Sequence, residues 1–187
     1  MNAHRTHPTG QATQAAQRGV TLVESLIVLA VTAVTLGAAV PGFESARERR
    51  HLEGAAAQLE TDLHFARSLA AAHHEALRVS FTSTADGSGY VIHHGSARHC
   101  RAEPGGTASC NGAARVHRVV HFAAGDAVGV QANVSSILFD PLKGTSTPTG
   151  TLRVVGRSGA AVHQVVNLMG RVRSCTPTPT LFGYPRC

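Results

Sequence analysis

Two arginines near the end of the chain have a spacing suited to phosphate binding. Arg171 and Arg173 follow Gly170 in a segment that reads as the end of a strand. In extended backbone their side chains would point the same way, about 6.5–7 Å apart, close to the spacing of successive phosphates on one nucleic-acid strand. Gly170 permits a sharp turn before them. The pattern predicts polyanion binding, and the alternative is that both arginines merely keep a strand end soluble.

The distribution of charge favours the same interpretation. Residues 1–140 carry 11 basic and 11 acidic residues, whereas residues 141–187 carry six basic residues and no acid. An excess of positive charge confined to one segment indicates a polyanionic partner, although a solvated surface without acids gives the same count. The six basic residues are Lys143, Arg153, Arg157, Arg171, Arg173 and Arg186.

The four cysteines fall in two close pairs, Cys100 with Cys110 and Cys175 with Cys187. Four cysteines allow three connectivities, and neither spacing is typical of a zinc site. Since each pair closes a loop rich in glycine or proline, we expect disulfides Cys100–Cys110 and Cys175–Cys187, each worth about 3 kcal/mol. The second would close a stiff ring that carries Arg186 and so extends the phosphate-binding surface.

A single acid, Glu24, interrupts the most apolar part of the chain, residues 20–43. This segment is long enough to cross about 30 Å of hydrocarbon. A carboxylate inside a membrane span costs free energy, so Glu24 is predicted to have a function. The hydrophilic, mildly basic residues before it predict a cytoplasmic N-terminus. One interpretation is a secretory signal cut after Ala39. The other, which Glu24 and the continuing helical pattern favour, is a cut at Gly19 that leaves the apolar helix in place.

Beyond the apolar segment the sequence predicts an α+β domain. After a break at Pro41 and Gly42, apolar residues recur every three or four positions to about His74, which is typical of an amphipathic helix. From Leu77 the alternation is that of about seven antiparallel strands, with a polar surface loop over 95–113. The predicted strands are 77–82, 90–93, 116–122, 128–131, 136–139, 151–155 and 161–168, and the predicted helix face is Leu52, Ala56, Leu59, Leu63, Ala66 and Ala70.

Residues 18–26, RGVTLVESL, resemble the processing site of type IV pilins and of the related pseudopilins of type II secretion. The resemblance implies that a prepilin peptidase cuts after Gly19 and methylates the new amino terminus, Val20. It also implies that Glu24 neutralises the amino terminus of a neighbouring subunit during assembly, since opposite charges in a low dielectric offset each other's cost. Many pilins have phenylalanine at the position of Val20.

The rest of the chain resembles the FimT/GspH minor pilins, through residues 137–144 and through Gly170-Arg171-Val172-Arg173. The second motif is similar to the DNA-contacting motif of the FimT subgroup, which takes part in DNA uptake during natural transformation. The resemblance implies sequence-independent binding of double-stranded DNA by Gly170, Arg171 and Arg173, with Arg186 and Lys143 nearby. The alternative is a structural minor pseudopilin of type II secretion, or a pilus-priming subunit, without DNA binding.

The implied organisation is that of a type IV pilin. Residues 1–19 are the leader, 20–43 a transmembrane and assembly helix, 44–76 the amphipathic half of that helix, and 77–187 a β-rich head. The expected partners are DNA, other pilin subunits, the prepilin peptidase and the inner membrane. The protein is expected first in the bacterial inner membrane, with one span, and then in a pilus fibre or tip in the periplasm or outside the cell.

We expect neither an enzyme nor a cofactor. The twelve histidines include the adjacent pairs His73–His74 and His93–His94, but neighbouring residues do not share a face of a helix or a strand. No cluster with metal-ligand spacing accompanies them, and the sequence has no nucleophile motif and no phosphate-binding glycine loop. These observations predict no catalytic residue and no metal site.

Overall fold

The computed structural model describes residues 19–97, 99–112, 114–177 and 183–187, so the predicted leader lies outside the described residues except for Gly19. The chain divides at Gly42 into two compact units, and the second, Phe43–Cys187, contains every described strand. The described elements are α1 (Leu22–His73), β1 (Leu77–Thr84), β2 (Gly87–His93), β3 (Cys100–Glu103), β4 (Thr107–Cys110), β5 (Val116–Ala123), β6 (Val128–Ala132), β7 (Ser136–Phe139), β8 (Ser146–Thr147), β9 (Gly150–Gly156), β10 (Ala161–Val166) and β11 (Val172–Cys175).

Helix α1 begins with a side-chain cap. The backbone N–H of Glu24 donates to Thr21 Oγ1 at 3.2 Å, and that of Ser25 donates to the Thr21 carbonyl at 3.1 Å. Threonine followed three residues later by glutamate is a sequence signature of a helix start. By length and composition this helix can cross a membrane. Its hydroxyls suit that environment, since Thr32 Oγ1 donates to the Val28 carbonyl at 2.7 Å and needs no water.

The prediction of one long helix is confirmed, because α1 is continuous through Pro41 and Gly42, where the apolar pattern is interrupted. A proline removes one backbone hydrogen bond from a helix but does not by itself end it, and long apolar helices tolerate such a residue.

The second unit is an α+β domain in which all sheet pairs are antiparallel, as predicted. One sheet has the order β5-β2-β1-β7-β8 and the other β11-β10-β9-β6, while β3 and β4 form a separate hairpin. The predicted apolar face of α1 is confirmed, because all of its six residues are buried in the main core. The sheets contribute the other core side chains, among them Tyr90, Ile92, Ile137, Phe139, Leu152 and Val154.

Several details of the predicted strands are wrong, and three of them affect the site or its surroundings. The segment 100–110 is a hairpin closed by the Cys100–Cys110 disulfide and not a loop, but its four-residue strands are too short to recognise by alternation. Strand β10 ends at Val166, two residues earlier than predicted. The strand β11 was not predicted, so Arg173 lies within a further strand and Gly170 does not end the last one.

A buried polar cluster joins α1 to the five-stranded sheet. The hydroxyl of Tyr90 on β2 donates to Asp62 Oδ2 at 2.7 Å, and Arg118 on β5 pairs with Asp62 Oδ1. Asp62 is only 1% exposed, so both partners are needed to offset the cost of burying its carboxylate. Burial, followed by the hydrogen bond to Asp62, raises the pKa of Tyr90.

Candidate functional site

The orientation of β11 is fixed by its inward-facing side chains. Val172 is buried, and Ser174 Oγ lies 2.6 Å from Glu60 Oε2 of α1 and 2.8 Å from Gln164 Oε1 of β10. Since successive side chains on a strand point to opposite faces, Arg173 must point away from α1. Its side chain is exposed, as is that of Arg171 just before the strand.

The turn between β10 and β11 sets the position of Arg171. The backbone N–H of Arg171 donates to Asn167 Oδ1 at 2.9 Å, and that of Gly170 donates to the Asn167 carbonyl at 2.9 Å. Gly170 has φ +69°, which side chains disfavour, and a Cβ there would lie 2.9 Å from the Gly144 carbonyl oxygen. The turn was expected from the sequence, whereas the close approach of Gly144 was not.

This approach brings the loop of Lys143 against the turn. Ser146 Oγ donates to the Asn167 carbonyl at 2.6 Å, and the Ser146 N–H donates to the Leu168 carbonyl at 2.9 Å. Asp140 Oδ1 accepts the N–H groups of Leu142 and Lys143, both at 2.8 Å. Hydrogen bonds from these two amides hold the pKa of the Asp140 carboxyl below its ordinary value. Lys143 is exposed beside the turn that carries Arg171.

Arg67 of α1 reaches the same turn, although sequence reasoning did not select it. Its side chain is half-buried, and its Nε lies 3.0 Å from where a Cβ on Gly170 would be. Arg67 is about one hundred residues before Gly170 in the chain. Because α1 contains several charged residues, the sequence does not single out Arg67. The position of Arg67 beside the turn that carries Arg171 follows only from the packing of α1 on the two loops.

The exposed side of the four-stranded sheet continues the positive charge. We call this surface the basic face: Arg153, His163, Val165 and Arg173, which all point away from α1. The register pairs Arg153 with His163 and Val165 with Arg173. The strands β6, β9, β10 and β11 contain no aspartate or glutamate. Burial, and then the neighbouring Arg153, lowers the pKa of His163.

Arg186 is held at the other end of β11. The Cys175–Cys187 disulfide closes the C-terminal ring, and the Thr176 N–H donates to the Pro185 carbonyl at 2.9 Å. Arg186 is exposed, and its backbone forms an isolated parallel β-bridge with that of Thr176. This β-bridge follows the C-terminal end of β11, whereas Gly170 precedes the N-terminal end. The structure therefore brings Lys143 close to Arg171, but it does not bring Arg186 to that end.

The disulfide of the ring lies close to His163 of β10, and the three residues are of types that can bind a metal ion. His163, Cys175 and Cys187 have ligand atoms within 4.8 Å of one another, the single such group of three found among the described residues. Both cysteines are joined in the disulfide, so they offer no thiolate to a metal ion.

The predicted processing site lies just before α1. Gly19 and Val20 are exposed and precede the first helical residue, so the peptide bond between them lies outside the helix. Glu24 is exposed in the first turn of α1, where the helix dipole favours a negative charge. The large apolar side chains that follow it, from Leu26 to Val40, are all more than half exposed.

Two family models match parts of the chain. The model of the type II transport protein GspH matches residues 55–170, and that of the prokaryotic N-terminal methylation motif matches residues 14–40. No curated protein matches the chain. Among solved structures, the chain is similar to the type IV minor pilin FimU of Pseudomonas aeruginosa, with 21% identity and a TM-score of 0.49 over 67% of this chain and 89% of that one. Because the GspH model spans more than half of the chain, the protein belongs to the GspH family of type IV pilin-like proteins.

Proposed function

We propose that this pilin-like subunit is a minor type IV pilin that binds double-stranded DNA without sequence specificity during DNA uptake. Members of the family are structural subunits and not enzymes, so the proposed activity is binding alone. The observation that carries the proposal is the basic face together with Arg171, a surface with three exposed arginines whose strands contain no acid. Arginine suits this role, since its planar group can donate two hydrogen bonds to one phosphate.

The arrangement supports binding to the DNA backbone. Arg171 and Arg173 are two residues apart, and Arg153 lies two strands away from Arg173 across the sheet. With strands about 4.8 Å apart, Arg153 is roughly 10 Å to the side, so the arginines could contact several phosphates at once. Among the residues that the structure describes, this surface is a sheet and a turn and presents no helix to a groove, which favours contacts without base readout.

A binding measurement tests the proposal. The soluble unit from Glu44 onward should shift a DNA duplex at low salt, and Arg171→Ala with Arg173→Ala should nearly abolish the shift. Removing two phosphate contacts should also flatten the dependence of log K on log salt by up to about 2. A matched control removes the same charge elsewhere, by Arg101→Ala with Arg115→Ala, and should bind almost normally. No binding by the wild-type unit at low salt would refute the proposal.

A structural role without DNA binding is the second candidate, because the matching family model is described as a type II transport protein. In that case the double arginine variant would assemble into fibres as the wild type does, and neither protein would bind DNA. Assembly of the variant together with loss of DNA binding would instead support the first candidate.

We also propose that the chain is cut after Gly19, that Val20 becomes the methylated amino terminus, and that Glu24 acts in assembly. Support comes from the methylation-motif match, which implies prepilin-peptidase processing and assembly with other pilins, and from the exposed peptide bond before the helix. Gly19→Ala should leave a longer precursor in the inner membrane, measurable by mass spectrometry. Glu24→Val should be processed and inserted but lost from fibres. A mature protein that begins near Val40 would contradict this assignment.

A further inference from the structure

Three exposed apolar side chains gather at the turn that carries Arg171. Leu142 is 84% exposed, Met169 64% and Leu168 56%, and apart from Phe43 at its start these are the most exposed large apolar residues described in the second unit. Leu168 and Met169 occupy the turn between β10 and β11, and Leu142 lies in the loop packed against it. Val165 on the basic face, 37% exposed, extends this apolar surface towards Arg173.

Hydrogen bonds fix the backbone of the turn and the loop that carry these side chains. The Leu168 carbonyl accepts from the Ser146 N–H, and the turn is closed by hydrogen bonds to Asn167. The Leu142 N–H is held by Asp140 Oδ1 at 2.8 Å. Binding would therefore cost little entropy in ordering the two loops. A cluster of this kind, more than a single exposed leucine, marks a contact surface.

The charge around the cluster indicates its occupant. Lys143 follows Leu142, Arg171 lies two residues after Met169, and Arg67 reaches the same turn, so three positive charges lie beside the cluster against the one negative charge of Asp140. A positively charged rim suits an anionic partner, while the apolar centre needs a surface without charge. DNA offers both, because its phosphates flank stacked bases, and proteins that hold the minor groove with arginine also insert leucine or methionine between base steps.

We propose that Leu168 and Met169 form an apolar wedge that enters the DNA minor groove and partly unstacks one base step, while Arg171 and Lys143 hold the flanking phosphates. This inference rests on the proposed DNA binding and adds its mode. Since pyrimidine–purine steps open more easily than A-tracts, the wedge would favour flexible DNA without reading its sequence.

The experiment uses the full-length chain in a neutral detergent and duplexes with 2-aminopurine beside a TA step or inside an A-tract. The wild type should bind both, should prefer the TA duplex, and should raise the fluorescence of its 2-aminopurine. Leu168→Ala with Met169→Ala should weaken binding to the TA duplex about tenfold or more and abolish the fluorescence rise. The salt dependence should stay as in the wild type, because no charge is removed.

Val116→Ala is the matched control, since Val116 is a 39% exposed apolar residue on β5, away from the turn, and it should leave binding and fluorescence unchanged. Wild-type binding without a fluorescence rise, or equal binding and unstacking by the double variant, would overturn the wedge and leave the proposed function standing. A double variant that keeps DNA binding and unstacking but loses contact with another pilin would assign the cluster to a protein partner. No wild-type binding at low salt would refute the proposed function itself.

Discussion

Replacing Gly170 with alanine separates two reasons for a glycine at this turn. The first is its left-handed backbone, φ +69°, which costs an alanine about 1–2 kcal/mol. The second is space, since the new Cβ would lie 2.9 Å from the Gly144 carbonyl oxygen and 3.0 Å from Arg67 Nε. The arginine can move, but the carbonyl is backbone, so the loop that carries Lys143 must shift. Such overpacking adds about 1–3 kcal/mol.

Gly159 supplies the control. It has φ +82°, in the turn between β9 and β10, but no atom lies within 4 Å of a Cβ built there. Gly159→Ala should therefore lose only the backbone part, about 1–2 kcal/mol. The difference between the two variants isolates the close approach of the two loops.

The assay is urea unfolding of the soluble unit from Glu44, followed by circular dichroism, with DNA binding measured in parallel. Gly170→Ala should lose more stability than Gly159→Ala, and it alone should weaken DNA binding, because it displaces Arg171 and Lys143. Equal losses of stability in the two variants would refute the steric reasoning. Unchanged DNA binding by a folded Gly170→Ala variant would refute the link between this turn and the proposed interface.

Two further predictions concern the core. Tyr90→Phe should destabilise the second unit by about 1.5–3 kcal/mol, because it leaves the buried Asp62 carboxylate with one partner fewer. Asp62→Asn should cost less, because it removes the buried charge and keeps an oxygen that can accept from the Tyr90 hydroxyl; urea unfolding measures both, and an equal or larger loss for Asp62→Asn would contradict the buried-charge explanation. His93 is fully buried between Ser80 Oγ, 2.9 Å away, and the His94 carbonyl, and burial lowers its pKa below 6.5. The unfolded chain therefore takes up a proton first as pH falls, so stability should be complete above about pH 6.5 and decline below it. His93→Gln should reduce this decline in thermal unfolding measured from about pH 7.5 to 5.5, and an unchanged decline would assign it elsewhere.

The sequence predicted those elements whose side chains repeat with one period. The buried face of α1 was recognisable because its leucines and alanines recur every three or four residues. The strand β11 was not, because one of its two inward positions is Ser174, whose hydroxyl bonds to Glu60 and does not add to an apolar pattern. A strand whose inward side chains include hydrogen-bonded polar residues lacks the alternation of apolar and polar residues from which strands are predicted.

The candidate site was predictable only where its residues are neighbours in the chain. The spacing of Arg171 and Arg173 predicts phosphate binding, and the presence of glycine at position 170 predicts a turn. The contribution of Arg67 depends on how the helix packs on two distant loops, and that of Arg153 on the register of three strands. Long-range packing of this kind leaves no local mark on the sequence.

The inward and outward side chains of β11 have different roles. Val172 and Ser174 hold the strand to the rest of the domain, whereas Arg171 and Arg173 point outward and, within the described part of the chain, form no ion pair. Exchanging the outward residues therefore leaves the supports of the fold intact. On this scaffold, affinity for a polyanion can be gained or lost through a few surface substitutions, so relatives with the same architecture are free to differ in whether they hold nucleic acid.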